Sequence, residues 1–373
     1  MKRLTVLMPT YNVGEYIAQA IESILMQKVN FEFELIIVED KSTDDSLKIA
    51  LDYQSKYPDI IKVIENERNL KLLSTSIKCY ETAKTEYFCV LDPDDYYIVD
   101  DKFQQAIDFL DSNPEFSIHA TNSYTLDIYS GEQKKYIDEK EYEKVSSIDD
   151  FMHGKAVLAH TSGTVFRNLF FKEGVPKKLY QAVGTFSERS YEGDTFRNVL
   201  HLSEGKAYFK NSFESIYRIS YKGVWTSLPE IKKDLIHMQF YYDMSSFFNN
   251  EKISNYMLRE SYNFFNRMKT SFMDLYSLDN TRSKIKNPDY LIDFNQVEDL
   301  YMAYFEKKSK IEDLLDMQQM IKNKDDIIAA KDILIQQREV YFNQSMSYYE
   351  SSISWKITKP LRLFRRLIGK IWK

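Results

Sequence analysis

An open α/β fold with a mostly parallel sheet is what this sequence predicts, on three observations. Short apolar, β-rich runs recur through residues 4–91. Each of the first three is followed by apolar residues at three- and four-residue spacing, the period of a helix. Turn-forming or acidic clusters bound most of the runs. Near-continuous apolar strands alternating with helices belong to a sheet covered on both faces.

The elements follow in order. Leu4-Thr5-Val6-Leu7-Met8 is a strand halted by Pro9-Thr10-Tyr11-Asn12. Tyr16, Ile17, Ala20, Ile21, Ile24 and Leu25 mark the first helix. Residues 33–38 form the second strand and run into Glu39-Asp40-Lys41-Ser42-Thr43-Asp44-Asp45. Ser42 or Thr43 is placed to cap the next helix, whose apolar face is Leu47, Ile49, Ala50 and Tyr53. Residues 60–64 give a third strand, 70–83 a third helix and 87–91 a fourth strand. No Gly-x-Gly-x-x-Gly follows the first strand, which argues against a dinucleotide-binding fingerprint.

The fourth strand stops at Asp92-Pro93-Asp94-Asp95. In open α/β sheets the carboxyl edge of the strands is where ligands bind. Clustered carboxylates raise the cost of ionisation, and a divalent cation carrying a phosphate compensates them. A solvated acidic turn is the simpler alternative for this motif taken alone.

Four ordered segments resemble family 2 glycosyltransferases: Val6 to Asn12 with Ala20 to Gln27, Glu34 to Asp45, Tyr87 to Asp95, and the helix carrying Lys102, Phe103 and Phe109-Leu110-Asp111-Ser112-Asn113-Pro114. The resemblance covers roughly residues 3–226, most strongly to about 120. It implies a GT-A fold (a Rossmann-like mixed sheet flanked by helices), a nucleotide-sugar donor and inversion at the anomeric carbon. It also implies Mn²⁺ or Mg²⁺ held by Asp94, with Asp92 sharing the metal or holding the ribose, and Asp95 organising the turn. Thr10 and Tyr11 match the turn that cradles the base, and Asp40 matches the acid that accepts from uracil, which makes UDP-sugar the expected donor. Simple packing against its helix is the alternative for Tyr11.

Inversion in one displacement needs a base on the face opposite the diphosphate. Tyr191-Glu192-Gly193-Asp194-Thr195-Phe196-Arg197 precedes Val199, Leu200 and Leu202, so its acids open a helix, whose positive end favours a carboxylate. It resembles the family's base motif, with Asp194 at the helix-opening position and Glu192 as the fallback; a plain N-cap is the competing role for Asp194. Leu158 to Arg167 resembles the strand under the acceptor subsite, making His160 and Ser162 acceptor-side candidates; a satisfied structural role is the alternative for a lone His such as His160. Four positions depart from the family pattern. Glu39 replaces an Asp, Lys71 stands where relatives have Gly, Gly193 separates an acid pair, and Ser220 replaces a loop His for which Lys222 is a possible substitute.

At 373 residues the chain exceeds one typical domain. With 10 Gly, 8 Pro, 28 Tyr and 24 Phe, the part beyond the resemblance is expected to be helical and aromatic-rich. The expected division is a catalytic domain at 1–228, a helical extension at 229–307, a long helix or coiled coil at 308–350 and a basic tail at 351–373. Phe240, Met244, Phe247 and Phe248 read as core. Leu314, Ile321, Ile328 and Ile335 recur every seven residues, a broken seam suited to homo-oligomer formation. From Ile353 onward there are seven Lys or Arg and no acid in a chain of net charge −6, leaving about −13 on the rest. Leu361, Phe364, Ile368 and Ile371 share a helical face there, so the tail reads as a membrane-surface anchor; docking on the acidic body of its own chain is the alternative. Nucleic acid is not an expected partner, since only the tail is basic. Cys79 and Cys89 read as buried thiols of a reducing compartment. Without a signal-peptide pattern or an eighteen-residue apolar run, the protein is expected in the cytoplasm, peripheral on the inner face of the cytoplasmic membrane.

The expected activity is inverting, metal-dependent transfer from a nucleotide-sugar to a glycan or lipid-linked hydroxyl in surface polysaccharide synthesis. The alternatives are a noncatalytic nucleotide-sugar-binding scaffold and a sugar-nucleotide nucleotidyltransferase.

Overall fold

The computed structural model describes residues 2–220, 225, 228 and 230–277. The chain divides into two compact units, Met1–Tyr290 and Leu291–Lys373, and every described residue belongs to the first. Lys222, the heptad segment and the basic tail therefore lie outside the described residues.

Strands β1 (Leu4–Thr10), β2 (Phe33–Glu39), β3 (Ile61–Glu65) and β4 (Tyr87–Val90) alternate with helices α1 (Ile17–Leu25), α2 (Ser46–Lys56) and α3 (Lys71–Thr82). There follow β5 (Tyr96–Tyr97), α4 (Lys102–Ser112), β6 (Phe116–Asp127), β7 (Gln133–Lys135), β8 (Glu143–Ser146), α5 (Ile148–Met152), a 3₁₀ turn at Thr161–Gly163 and β9 (Thr164–Arg167). Then come α6 (Lys177–Ala182), α7 (Glu188–Tyr191), α8 (Asp194–Leu202), β10 (Lys206–Ile219), α9 (Glu230–Ser245) and α10 (Glu251–Ser277). The strand order is β3-β2-β1-β4-β9-β6-β10-β5, with β7 on β6 and β8 on β10. β1 to β4 pair in parallel, and β9 runs antiparallel to both β4 and β6. The α/β expectation holds, as a mixed sheet.

Two apolar layers cover the sheet. Side chains alternate between faces along a strand, so Leu7, Ile36 and Val38 join one core with Tyr80, Phe88, Phe196 and Leu200. Val6, Met8, Leu35 and Ile37 join the other, with α1 and α4. Phe240 and Met244 of α9 and Met257 of α10 are buried in the first core, where Phe247 and Phe248 pack against it. Both cysteines are free and buried.

Two local expectations need correction. Ser42 and Thr43 do not cap α2, which starts at Ser46 after Asp45 without a side-chain cap. Ser42 instead accepts from the Asn12 amide at 2.9 Å, and the Thr43 amide donates to the Asn12 side chain at 2.8 Å; a bond across to the β1 turn has displaced a local cap. The segment Leu158 to Arg167 becomes a strand only at Thr164. The 3₁₀ turn before it packs so closely that a Cβ on Gly163 would meet the Thr121 carbonyl at 2.4 Å.

Candidate active site

β1 is flanked by β2 and β4 although the chain visits β2 and β3 first, so the carboxyl ends of β1 and β4 border the point where strand order reverses. A crevice forms at such a switch point. The end of β1 places Thr10 buried, and the turn after it leaves Tyr11 exposed, beside the turn after β2, where the Asp40 amide donates to the Thr10 carbonyl at 2.8 Å. Asn12 and Lys41 hold positive φ, 51° and 62°. Their turns are clipped together through Ser42, Thr43, Asp44 and Ser46, which bond to residues 12–14. Glu39 is buried and accepts from the Lys41 and Ser42 amides, a structural task consistent with its lying outside the expected base contact.

Asp40 is buried and organises the start of α3. One carboxylate oxygen accepts from the Asn66 side chain and the Leu70 amide, both at 2.7 Å, and the other from the Lys71 amide at 2.9 Å. The oxygen facing Lys71 has one bond and so retains acceptor capacity. Lys71 sits at φ +67°, the left-handed region that glycine occupies at no steric cost.

The acidic turn after β4 is the electrostatic centre. The Asp95 amide donates to the Asp92 carbonyl at 2.9 Å, closing a turn that brings these two carboxylates together with His160. Ligand atoms of Asp92, Asp95 and His160 lie within 4.8 Å of one another. Two like charges at that range cost about 3 kcal/mol at an effective dielectric of about 20. Burial, then Asp94, pushes Asp92 up to about 7, and Asp95 is likewise raised well above the usual carboxylate range by burial, Asp94 and Asp92. One Asp95 oxygen accepts from the Arg218 amide at 3.0 Å. The other is buried with no hydrogen-bond partner, 3.6 Å from His160 Nδ1. Asp94 lies outside this three-residue group; its carbonyl accepts from the Arg218 guanidinium, which stacks between the Tyr16 and Tyr96 rings. Asp94 is the foremost charge acting on Asp92, and the turn also juxtaposes its first and fourth residues, Asp92 and Asp95.

α8 brings the second set of charges. Asp194 is its first residue, behind Gly193 at the N-cap, and accepts from the Thr195 amide at 2.7 Å. Asp194 therefore stands inside the helix's first turn and is not the cap itself. Its charge raises Asp92 and opposes the burial that pulls His160 down to about 4. Arg197, one turn along, is buried and donates to the Tyr80 hydroxyl at 3.2 Å and the Thr161 hydroxyl at 2.9 Å. Its field also lowers Asp92. Glu192 is paired with Arg189 at 3.0 Å. Ser162 is buried, bonded to His160 Nδ1 at 2.9 Å and to the Ser215 hydroxyl at 3.0 Å. The structure therefore brings Asp92, Asp95, His160 and Asp194 into one field and places Thr10, Tyr11 and Asp40 at the carboxyl ends of β1 and β2. Arg218 and the Asp95–His160 contact escaped sequence reasoning: each joins residues far apart in the chain, with no periodicity to announce it.

Residues 5–173 match the family described as "Glycosyl transferase family 2". The chain carries a glycosyl transferase family 2 domain. It is similar to the putative glycosyltransferase EpsE of Bacillus subtilis, 32% identical over 125 residues, 34% of this chain and 44% of EpsE. The minor teichoic acid biosynthesis protein GgaB of the same organism is 37% identical over 110 residues, 29% of this chain and 12% of GgaB. The chain spans less than two thirds of the length of these curated relatives. The crystal structure of S. aureus TarS 1-349 in complex with UDP-GlcNAc superposes with a TM-score of 0.54 at 17% identity over 81% of either chain. The glycosyl transferase family 2 domain thus has the GT-A-like fold that its motifs imply, a mixed sheet flanked by helices.

Proposed function

We propose that this protein is an inverting, metal-dependent glycosyltransferase that moves a sugar from a UDP-sugar to a hydroxyl of a glycan or lipid-linked acceptor in surface polysaccharide synthesis. The observation that carries this reading is the Asp92–Asp95–His160 group with its buried, unpartnered Asp95 oxygen. A divalent cation fits there: carboxylate oxygens and an imidazole suit Mn²⁺ or Mg²⁺, and a cation would relieve the repulsion that raises both acids. When bound, it would stabilise the departing diphosphate as a Lewis acid. Asp40, Thr10 and Tyr11 would hold the nucleotide in the adjoining crevice, and the UDP-GlcNAc bound by TarS agrees with a UDP-sugar donor. Asp194 would take the acceptor proton, from the first turn of α8. Arg197 acts electrostatically on Asp92 and is itself acted on by Asp194 and Asp92. The turn after β1, Pro9-Thr10-Tyr11-Asn12, has no glycine-rich phosphate loop, which disfavours a nucleotidyltransferase.

Asp194→Asn separates catalysis from mere binding. UDP affinity by calorimetry should persist while transfer falls at least about 100-fold; unimpaired transfer would remove Asp194 from the role of base. A scaffold would bind UDP and turn over nothing in either form.

The chain's remaining parts complete the proposal. Residues 308–347 would associate with a second copy, and residues 351–373 would hold the enzyme on the anionic inner face of the cytoplasmic membrane, near a lipid-linked acceptor. Among the described residues no helix is long and apolar enough to cross a membrane. Deleting residues 354–373 should abolish cosedimentation with phosphatidylglycerol vesicles at low salt and leave the folded domain intact. Undiminished cosedimentation would refute the anchor.

A further inference from the structure

Two tyrosines border the acidic group without a part in the chemistry above. The Tyr217 ring of β10 lies flat on His160, centroids 4.0 Å apart and planes 21° apart. The Tyr136 ring stands edge-on to both, 5.3 Å from His160 and 6.0 Å from Tyr217. Together they make an aromatic corner over the residue whose Nδ1 is 3.6 Å from Asp95. Tyr136 is 38% exposed, although it costs free energy to leave so large a ring in water.

Its backbone is nevertheless fixed. The Tyr136 amide donates to the Ser123 carbonyl at 2.9 Å. Buried Asn122 grips the next residue in both directions, donating to the Ile137 carbonyl at 2.8 Å and accepting from the Ile137 amide at 3.2 Å. Asn122 also donates to Asn211 at 2.8 Å, and Asn211 donates in turn to the Glu139 carbonyl at 2.7 Å. A buried amide costs stability unless fully bonded. One buried and one half-buried amide spent on holding one surface excursion give it a defined geometry, which pre-organises a recognition surface.

We infer that Tyr136 and Tyr217 form a pyranose-binding subsite, in which the acceptor's terminal sugar ring rests its apolar face on Tyr136 with its hydroxyl rim towards the acidic group. The axial C–H bonds of an all-equatorial pyranose make a flat, weakly positive face that complements the negative face of an aromatic ring. An acyclic polyol phosphate has no such face and gains little from Tyr136. The subsite rests on reading the acidic group as the place of glycosyl transfer.

Saturation-transfer NMR on the full chain tests it, with methyl β-D-glucopyranoside and ribitol 5-phosphate as probes and UDP calorimetry alongside. Saturation of the glucoside H1, H3 and H5 is expected in the wild type. It should fall about fivefold in Tyr136→Ala and persist in Tyr136→Phe. Should the alanine variant fail to fold, Tyr136→Leu keeps the bulk without the aromatic face and is expected to show the same loss. No ring saturation in the wild type, equal saturation in the alanine or leucine variant, or an equally Tyr136-dependent signal from ribitol phosphate would overturn the subsite. UDP binding without ring saturation would sink the subsite and leave the transferase reading standing. Tyr136-dependent ring saturation without UDP binding would sink the transferase reading and leave a carbohydrate site.

Discussion

Lys71 holds a backbone angle, φ +67°, that costs a residue with a Cβ about 1 kcal/mol or more. Its amide bonds to Asp40 and Asn69 fix that conformation. Lys71→Gly should therefore raise stability by about 1 kcal/mol, read as a higher urea midpoint at unchanged slope; a lower midpoint would show that the lysine side chain contributes more than the strain costs. This residue also shows where the sequence was legible. Its departure from the family's glycine was visible in the sequence, as were the acids of the β4 turn, because each sits in a short motif. The pairing of Asp95 with His160 was not, since it depends on a 3₁₀ turn 65 residues downstream whose geometry no local pattern encodes. The same holds for Arg218, which reaches the acidic turn from the last strand.

That 3₁₀ turn is held from behind at the scale of elements. Lys102, the first residue of α4, is fully buried and donates to Thr121 at 2.7 Å and to the Gly163 carbonyl at 3.1 Å, with Glu214 of β10 at 3.5 Å. One ammonium thus ties α4, β6, β10 and the turn that presents His160 and Ser162. Removing one partner of a buried pair leaves the other charge uncompensated, at about 3–5 kcal/mol. Lys102→Met should lose that much in denaturant unfolding, while Lys102→Met with Glu214→Leu should lose clearly less than the sum of the two single changes. Additive losses would mean the two side chains do not act as a pair. Strands and helices through residue 91 could be read from alternation of apolar runs, and α4 through the family resemblance. The expected strand at Leu158 to Arg167 was half lost because close packing of Gly163 on Thr121 bends the chain first, and α2 began later than its capping residues suggested because those residues bond across to the first turn.

Across the whole molecule, buried histidines link stability to pH. His201 is buried among Phe88, Phe166 and Phe170, its Nδ1 2.8 Å from the Arg197 carbonyl, and burial lowers it to about 3. The unfolded chain, with an ordinary histidine, takes up its proton first as pH falls. Stability from keeping His201 neutral is thus complete above about pH 6.5 and is lost progressively below it, towards the folded value. Asp92, raised to about 7 in the folded chain, acts in the opposite sense over an overlapping range, so the histidine is best isolated by difference. His201→Gln should reduce the slope of unfolding free energy against pH between 4 and 6 by about 1.4 kcal/mol per unit; identical slopes would show that His201 titrates normally. The two-layer α/β architecture was legible from apolar periodicity, whereas the mixed half of the sheet was implied only by the family resemblance, since β6, β9 and β10 pair across long intervals of sequence. The central claim, glycosyl transfer at the acidic turn, is met most directly by nucleoside diphosphate release from a panel of UDP-, GDP- and dTDP-sugars with Mn²⁺, with and without lipid-extracted acceptor. Release from a UDP-sugar is expected, abolished by EDTA and by Asp95→Asn. No release from any donor, together with no UDP binding by calorimetry, would contradict it.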